Sequence, residues 1–388
     1  MKTFEEINEK IKQGKAVVLT AEEVITLAKE KGIKEVAEKV DVVTSATFGP
    51  MCSSGVFLNF GHSDPPIKMN RILLNDVPAY GGLAAVDAYL GATAISEEEG
   101  IFYGGGHVIE DLISKKRIKL RATGHKTDCY PLERIETTIT IDSINQAILC
   151  NPRNAYQNYG AATNSSQRML YTYMGPLLPR FGNLSFSTSS QLNPLINDPE
   201  YRTTGLGTRI FLGGGIGYVI GEGTQHNPGQ VRDQNQIPLE PAATLAVKGD
   251  LKQMKPRYLR GATIKGYGVS IFVGIGVPIP ILDEGMAESV SISDEQIYTT
   301  IYDYGIPRRK KPTYGRITYK QLRSGSVELD GKKVPTNPLS SYAMALEISQ
   351  ILKEWISRGE FFLVKPVQPL PRDVPFLPMD QNNSEVTE

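Results

Sequence analysis

Val40-Asp-Val-Val-Thr-Ser-Ala-Thr47-Phe-Gly-Pro-Met-Cys52-Ser-Ser-Gly55-Val-Phe-Leu-Asn-Phe60 reads as strand, turn, strand. Val40 to Thr47 is β-branched and apolar, and Val56 to Phe60 resumes an extended pattern. Between them, Gly49-Pro50 and Ser53-Ser54-Gly55 break regular structure around Cys52. A core cysteine ordinarily sits among Val, Ile and Leu, so a thiol in a polar turn points to sulfur chemistry. The plainer alternative is a small buried side chain near a turn.

Outward from this stretch, helical and extended patterns alternate. Thr3-x-x-Glu6 and Thr20-x-x-Glu23 predict capping boxes opening short amphipathic helices. Ala16 to Leu19, Ile72 to Leu74, Arg117 to Arg121 and Arg134 to Ile141 read as strands, and Leu83 to Leu90 has helical composition. Arg209 to Leu212 enters the glycine turn Gly213 to Gly217, and Tyr218 to Ile220 leaves it. The apolar run Val269 to Ile281 contains Pro278 and Pro280, which predicts an edge strand or a bulged segment. Arg316 to Val334 reads as a hairpin with turns at Ser324-Gly325 and Asp330-Gly331. Ser341 to Arg358 carries the clearest helical spacing. The expected class is α/β or α+β, with a large mixed β-sheet, flanking helices and glycine-rich loops. Residues 1–364 are expected to form one catalytic domain; if it has two lobes, they divide near residue 150. Residues 365–388 read as a proline-rich, polar tail.

The chain has 388 residues, 40% hydrophobic and 22% charged, with Lys+Arg and Asp+Glu balanced at 42 each. That neutrality argues against a nucleic-acid binder, which needs excess positive charge. No apolar run approaches the roughly 20 residues that span a bilayer. The first residues lack a secretory hydrophobic region, so the expected location is cytoplasmic.

Three cysteines are too few for a disulfide framework or for an all-cysteine iron–sulfur cluster, which needs four thiolates. Cys129 shares the setting of Cys52, in Gly124-His125-Lys126-Thr127-Asp128-Cys129-Tyr130, with cations that favour a thiolate and an aspartate that opposes it. Cys150 ends an apolar run and reads as a packed thiol. His62, His107 and His125 each follow glycine, which lets an imidazole project from a turn for acid–base work; the bland reading is a surface loop. No metal spacing is present and no metal is expected. Gly213-x-Gly215 has Tyr218 where a dinucleotide fingerprint needs its third glycine, and no phosphate-binding Gly-x4-Gly-Lys motif occurs. Gly213, Gly214 and Gly215 offer backbone amides to a substrate carboxylate, or make a turn required by packing. Asn59, in the Cys52 stretch, is placed with them as a substrate contact.

The stretches Thr47 to His62, Gly124 to Tyr130 and Phe211 to Gly217 together resemble the homocysteine biosynthesis family of archaea and anaerobic bacteria. The resemblance runs over nearly the whole chain. It implies a sulfurtransferase that forms a persulfide and converts L-aspartate semialdehyde and sulfide into L-homocysteine. It implies Cys52 and Cys129 as the functional pair. The chemistry then expects the two thiols to meet in one pocket, with His62 or His125 as the acid that helps oxygen leave as water. It does not say which cysteine carries sulfur first. The conversion consumes two electrons, so the reductant is external; the resemblance implies a small iron–sulfur protein of ferredoxin type as partner, with no tightly bound cofactor in the chain itself. A homo-oligomer is left open. Two other classes compete: an acyl- or nucleotide-handling enzyme using the glycine loops, and a non-enzymatic metal or redox sensor.

Overall fold

A computed structural model describes residues 1–379. Among them are eight α-helices and a mixed sheet of 14 strands. Six of its strands position the site: β1 (Val42–Pro50), β2 (Gly55–Asn59), β3 (Ile118–Thr123), β4 (Arg134–Ile139), β5 (Gln146–Asn154) and β6 (Gly268–Pro280). The sheet runs from Val18–Thr20 through β1, β6, Arg209–Leu212, Gly215–Glu222, Leu245–Asp250, β5 and β2. It continues through Asp87–Gly91, Val77–Tyr80 and Arg71–Leu74 to β3 and β4. Only Val18–Thr20 pairs in parallel, with β1; the other pairs of this sheet for which registers are assigned are antiparallel.

Strands β1 and β2 follow each other in sequence but lie six steps apart in this order. Six steps in a flat sheet would be about 29 Å, at about 4.8 Å each. The chain from Pro50 to Gly55 reaches at most about 18 Å. The sheet is therefore strongly curled, and the Cys52 turn closes the seam between its distant strands. Gly55 is required there: a Cβ would stand 2.3 Å from the Tyr89 hydroxyl and 2.8 Å from the Leu90 carbonyl.

The helix Tyr342–Ser357, capped by Ser341, covers β1 and β6. Ile348 and Leu352 enter the main core beside Val273, Ile275, Val277 and Phe211. At Gly274 a Cβ would lie 2.7 Å from Ile348, so the missing side chain lets the helix sit close to the strand. Both predicted capping boxes are present at Thr3 and Thr20. A second, six-stranded sheet runs Thr313–Thr318, Tyr298–Asp303, Ala161–Thr163, Leu184–Phe186, Lys332–Pro338, Ser326–Leu329. It has its own core around Leu184, Phe186, Ile301, Ile317 and Tyr319.

Three local expectations are corrected. Leu83 to Leu90 is not helical: Asp87–Gly91 is a strand in which Ala88 and Leu90 are buried and Asp87 and Tyr89 less so. Period-two burial overrode the helical preference of alanine and leucine. Strand β6 is central, not an edge, with β1 on one side and Arg209–Leu212 and Leu259–Ile264 on the other. Its prolines are tolerated because Pro278 and Pro280 lie beyond the last residue paired on that second side, where their missing N–H breaks no ladder bond. Residues Tyr319–Arg323 form a helical turn capped by Thr318, so only Asp330-Gly331, both with positive φ, makes a hairpin turn.

The tail packs as far as it is described. Gln368–Pro369 pairs with Gly205–Leu206, Leu370 is buried, and the Pro371 carbonyl lies 2.9 Å from the His226 Nε2. The polar end of the tail, 380–388, lies outside the described residues. No helix among the described residues is long and apolar enough to cross a membrane.

Candidate active site

Strand β1 delivers the chain into the turn Met51–Ser54. Met51 donates its N–H to the Ile271 carbonyl of β6, and the Ser54 N–H returns to the Met51 carbonyl. Ser54 Oγ donates to that same carbonyl at 2.7 Å. These bonds leave the half-buried Cys52 facing a cavity of about 310 Å³. Its Sγ lies 3.0 Å from the Oγ of Ser270, a fully buried residue on β6.

Strand β5 brings the charge. Its register with β2 ends at Cys150 opposite Gly55. Carried three residues further, that register sets Arg153 opposite Cys52, and both line the cavity. Asn151, fully buried, ties the two together. Its Nδ2 donates to Ser54 Oγ in the thiol's turn, and its Oδ1 accepts the Arg153 N–H at 3.1 Å. Arg153 Nε donates to Thr224 Oγ1 at 3.0 Å. Among the described residues no aspartate or glutamate lines the cavity, and Arg153 is its only cation.

Four tyrosines complete the walls: Tyr156, Tyr159, Tyr173 and Tyr267. Tyr156 and Tyr159 meet edge to face at 4.9 Å; Tyr173 and Tyr267 do so at 6.3 Å. Burial pushes the phenols of Tyr156, Tyr159 and Tyr267 upward, reinforced at Tyr267 by the nearby Cys52 sulfur and opposed at Tyr156 by Arg153. Neutral phenols are hydrogen-bond donors, which suits a carbonyl oxygen.

Of the catalytic and substrate-binding candidates named from sequence, only Cys52 lines this cavity. Cys129 is exposed, in the loop joining β3 to β4. There Thr127 and Tyr130 exchange backbone hydrogen bonds of 3.0 and 3.1 Å. His62 stacks on Tyr130 at 6.2 Å, and His125 is exposed in the same loop. The registers place this loop at the Asn59 end of β2, whereas Cys52 precedes its Gly55 end. The expectation that Cys52 and Cys129 meet in one pocket is therefore corrected for a single chain. Their loops lie at opposite ends of β2 and on strands four steps apart in the sheet order.

Asn59 bonds to Asp87 and Asn145, away from the cavity. Gly213, Gly214 and Gly215 pack on Gln253, Met254, Lys255 and Tyr258, and the Gly213 N–H is taken by the Gly274 carbonyl. This turn serves the sheet and contributes nothing to the cavity lining. Among the described residues no cluster of three His, Cys, Asp or Glu could hold a metal. Arg153 and the tyrosines escaped the sequence reading. The one signal for them was the crowding of Arg153, Tyr156 and Tyr159 just after the apolar run that ends in Cys150.

A lone thiol on a seam, facing one guanidinium and a wall of phenols, makes a cavity suited to a small polar substrate. The chain belongs to the homocysteine biosynthesis enzymes of sulfur incorporation, whose family model matches residues 16–363. It is 56% identical over 387 residues to an L-aspartate semialdehyde sulfurtransferase of Methanocaldococcus jannaschii, covering 96% of this chain and 74% of the relative. It is 52% identical over 372 residues to the sulfurtransferase of the same name from Methanosarcina acetivorans, covering 96% and 72%. An uncharacterized protein of Methanothermobacter thermautotrophicus is 32% identical over 332 residues, covering 83% and 72%. No solved structure matches the chain.

Proposed function

We propose that the protein makes L-homocysteine from L-aspartate semialdehyde and sulfide, with Cys52 as the sulfur carrier. The carrying observation is the placement of Cys52: it is the one thiol among the residues lining the Arg153–tyrosine cavity of a chain in this family. In the net reaction the aldehyde, hydrogen sulfide, two electrons and two protons give the primary thiol and water. Sulfide enters by attack on Cys52 held as a disulfide, which breaks the S–S bond, leaves a persulfide on Cys52 and frees the other thiol. The outer sulfur adds to the aldehyde carbon, and the carbonyl oxygen takes a proton under hydrogen bonding from the cavity's phenols. Two electrons split the S–S bond and release Cys52. Loss of water leaves a thioaldehyde, which two further electrons and two protons reduce to the thiol. Re-forming the disulfide returns two electrons, so the net demand is two. These come from a separate small iron–sulfur protein of ferredoxin type.

The disulfide partner of Cys52 arrives from a second chain, because no other cysteine of its own chain lines the cavity among the described residues. If Cys129 serves the site, it does so from another copy. His62 and His125 travel with the Cys129 loop and are not the groups beside the Cys52 sulfur.

The test is anaerobic incubation of the protein with L-aspartate semialdehyde, sulfide and a low-potential reductant, with homocysteine measured directly. The expected result is homocysteine from the native chain and none from Cys52→Ala. Homocysteine formed at the native rate by Cys52→Ala overturns the proposal.

A further inference from the structure

The cavity's charge inventory is lopsided. Among the described residues it holds one guanidinium, no carboxylate and four tyrosine rings. Arg153 is set before any ligand arrives, since Nε is committed to Thr224 and the backbone is held by Asn151. No ion pair to a carboxylate occupies it among the described residues, and the two Nη groups of such a fork match a carboxylate edge. An ammonium has no anionic partner in this cavity, so it is left to neutral oxygen acceptors such as Gln225 and the phenols, and to the four tyrosine ring faces, which attract a cation through the ring quadrupole. The Asn151 link also holds Arg153 at a constant offset from the Cys52 turn.

We infer that Arg153 receives the substrate's α-carboxylate while the Tyr156, Tyr159, Tyr173 and Tyr267 walls receive its ammonium, which directs the aldehyde carbon to Cys52. This assignment rests on the reading of the cavity as the aldehyde site. Arg153 is then the principal specificity determinant, since its contact is charge-assisted and two-pronged. The tyrosine contact is weaker and tolerates loss of the ammonium better.

The experiment compares three aldehydes on the native chain: L-aspartate semialdehyde, succinic semialdehyde, which lacks the ammonium, and 3-aminopropanal, which lacks the carboxylate. The expected order of kcat/KM is as written, with 3-aminopropanal lower than the parent substrate by roughly 10²-fold or more. Arg153→Met raises KM for L-aspartate semialdehyde by a similar factor and so narrows the preference for it over 3-aminopropanal; Arg153→Lys recovers part of the loss. Sulfur loading of Cys52, read as a mass gain of one sulfur atom, is measured alongside in both variants, so that a loss of aldehyde binding is separated from a loss of loading. A native chain that prefers 3-aminopropanal to succinic semialdehyde, or an Arg153→Met variant with the native KM, overturns the assignment. Failure of the native Cys52 to take up sulfur instead removes the carrier role given to that thiol, and the comparison of aldehydes still judges Arg153.

Discussion

Two cysteines with nearly the same sequence setting end in opposite environments. Cys52 is half-buried on the seam of a curled sheet, beside a buried serine and across from an arginine. Cys129 is exposed in a hairpin loop whose hydrogen bonds are local. Glycine, serine and histidine around a thiol therefore announce a turn and leave open whether the turn faces a cavity or bulk solvent. The difference comes from what the flanking strands pair with: β1 and β2 are anchored at distant places in one sheet, while β3 and β4 pair with each other.

The sharpest way to break this comparison is to remove each thiol in turn. Cys52→Ala should lower homocysteine formation on the order of 10⁴-fold or more, with the chain still folded, because the carrier itself is lost. Oxidation of the native chain comes next. Any Cys52–Cys129 disulfide should run at twice the chain mass on a non-reducing gel, and mixing Cys52→Ala with Cys129→Ala subunits should restore part of any activity lost. A Cys52–Cys129 link within one chain would show that the two loops meet after all. Alkylation refines the contrast: L-aspartate semialdehyde should slow modification of Cys52 several-fold and leave Cys129 untouched, as peptide mapping will report.

Smaller effects probe the scaffold. Asn151→Ala leaves the Arg153 N–H without its acceptor and Ser54 Oγ without its incoming donor, so it should cost about 1–3 kcal/mol by denaturant unfolding and raise KM. Gly274→Ala should cost about 1–3 kcal/mol, because its methyl meets Ile348 at 2.7 Å. It should leave sulfur loading of Cys52 intact, since it acts on the helix-covered side of β6.

Much of the local structure was legible. Both capping boxes, the helix after Ser341 and the strand–turn–strand around Cys52 follow from short-range rules, and short-range forces decide them. The misread pieces depend on neighbours. Asp87–Gly91 became a strand because one face is buried, and β6 became central because its prolines fall beyond the reach of the strand beside them. The family was legible from the same motifs, and the match over residues 16–363 bears it out.

The chain's amino-acid order by itself determined the class of fold, the family and the thiol placed in a breaking turn, because these depend on residue type and near spacing. Tertiary structure alone decided which thiol has a cavity and that Arg153 stands across from it. That register spans about 100 residues of chain and is set by strand pairing and side-chain burial, which no local pattern encodes.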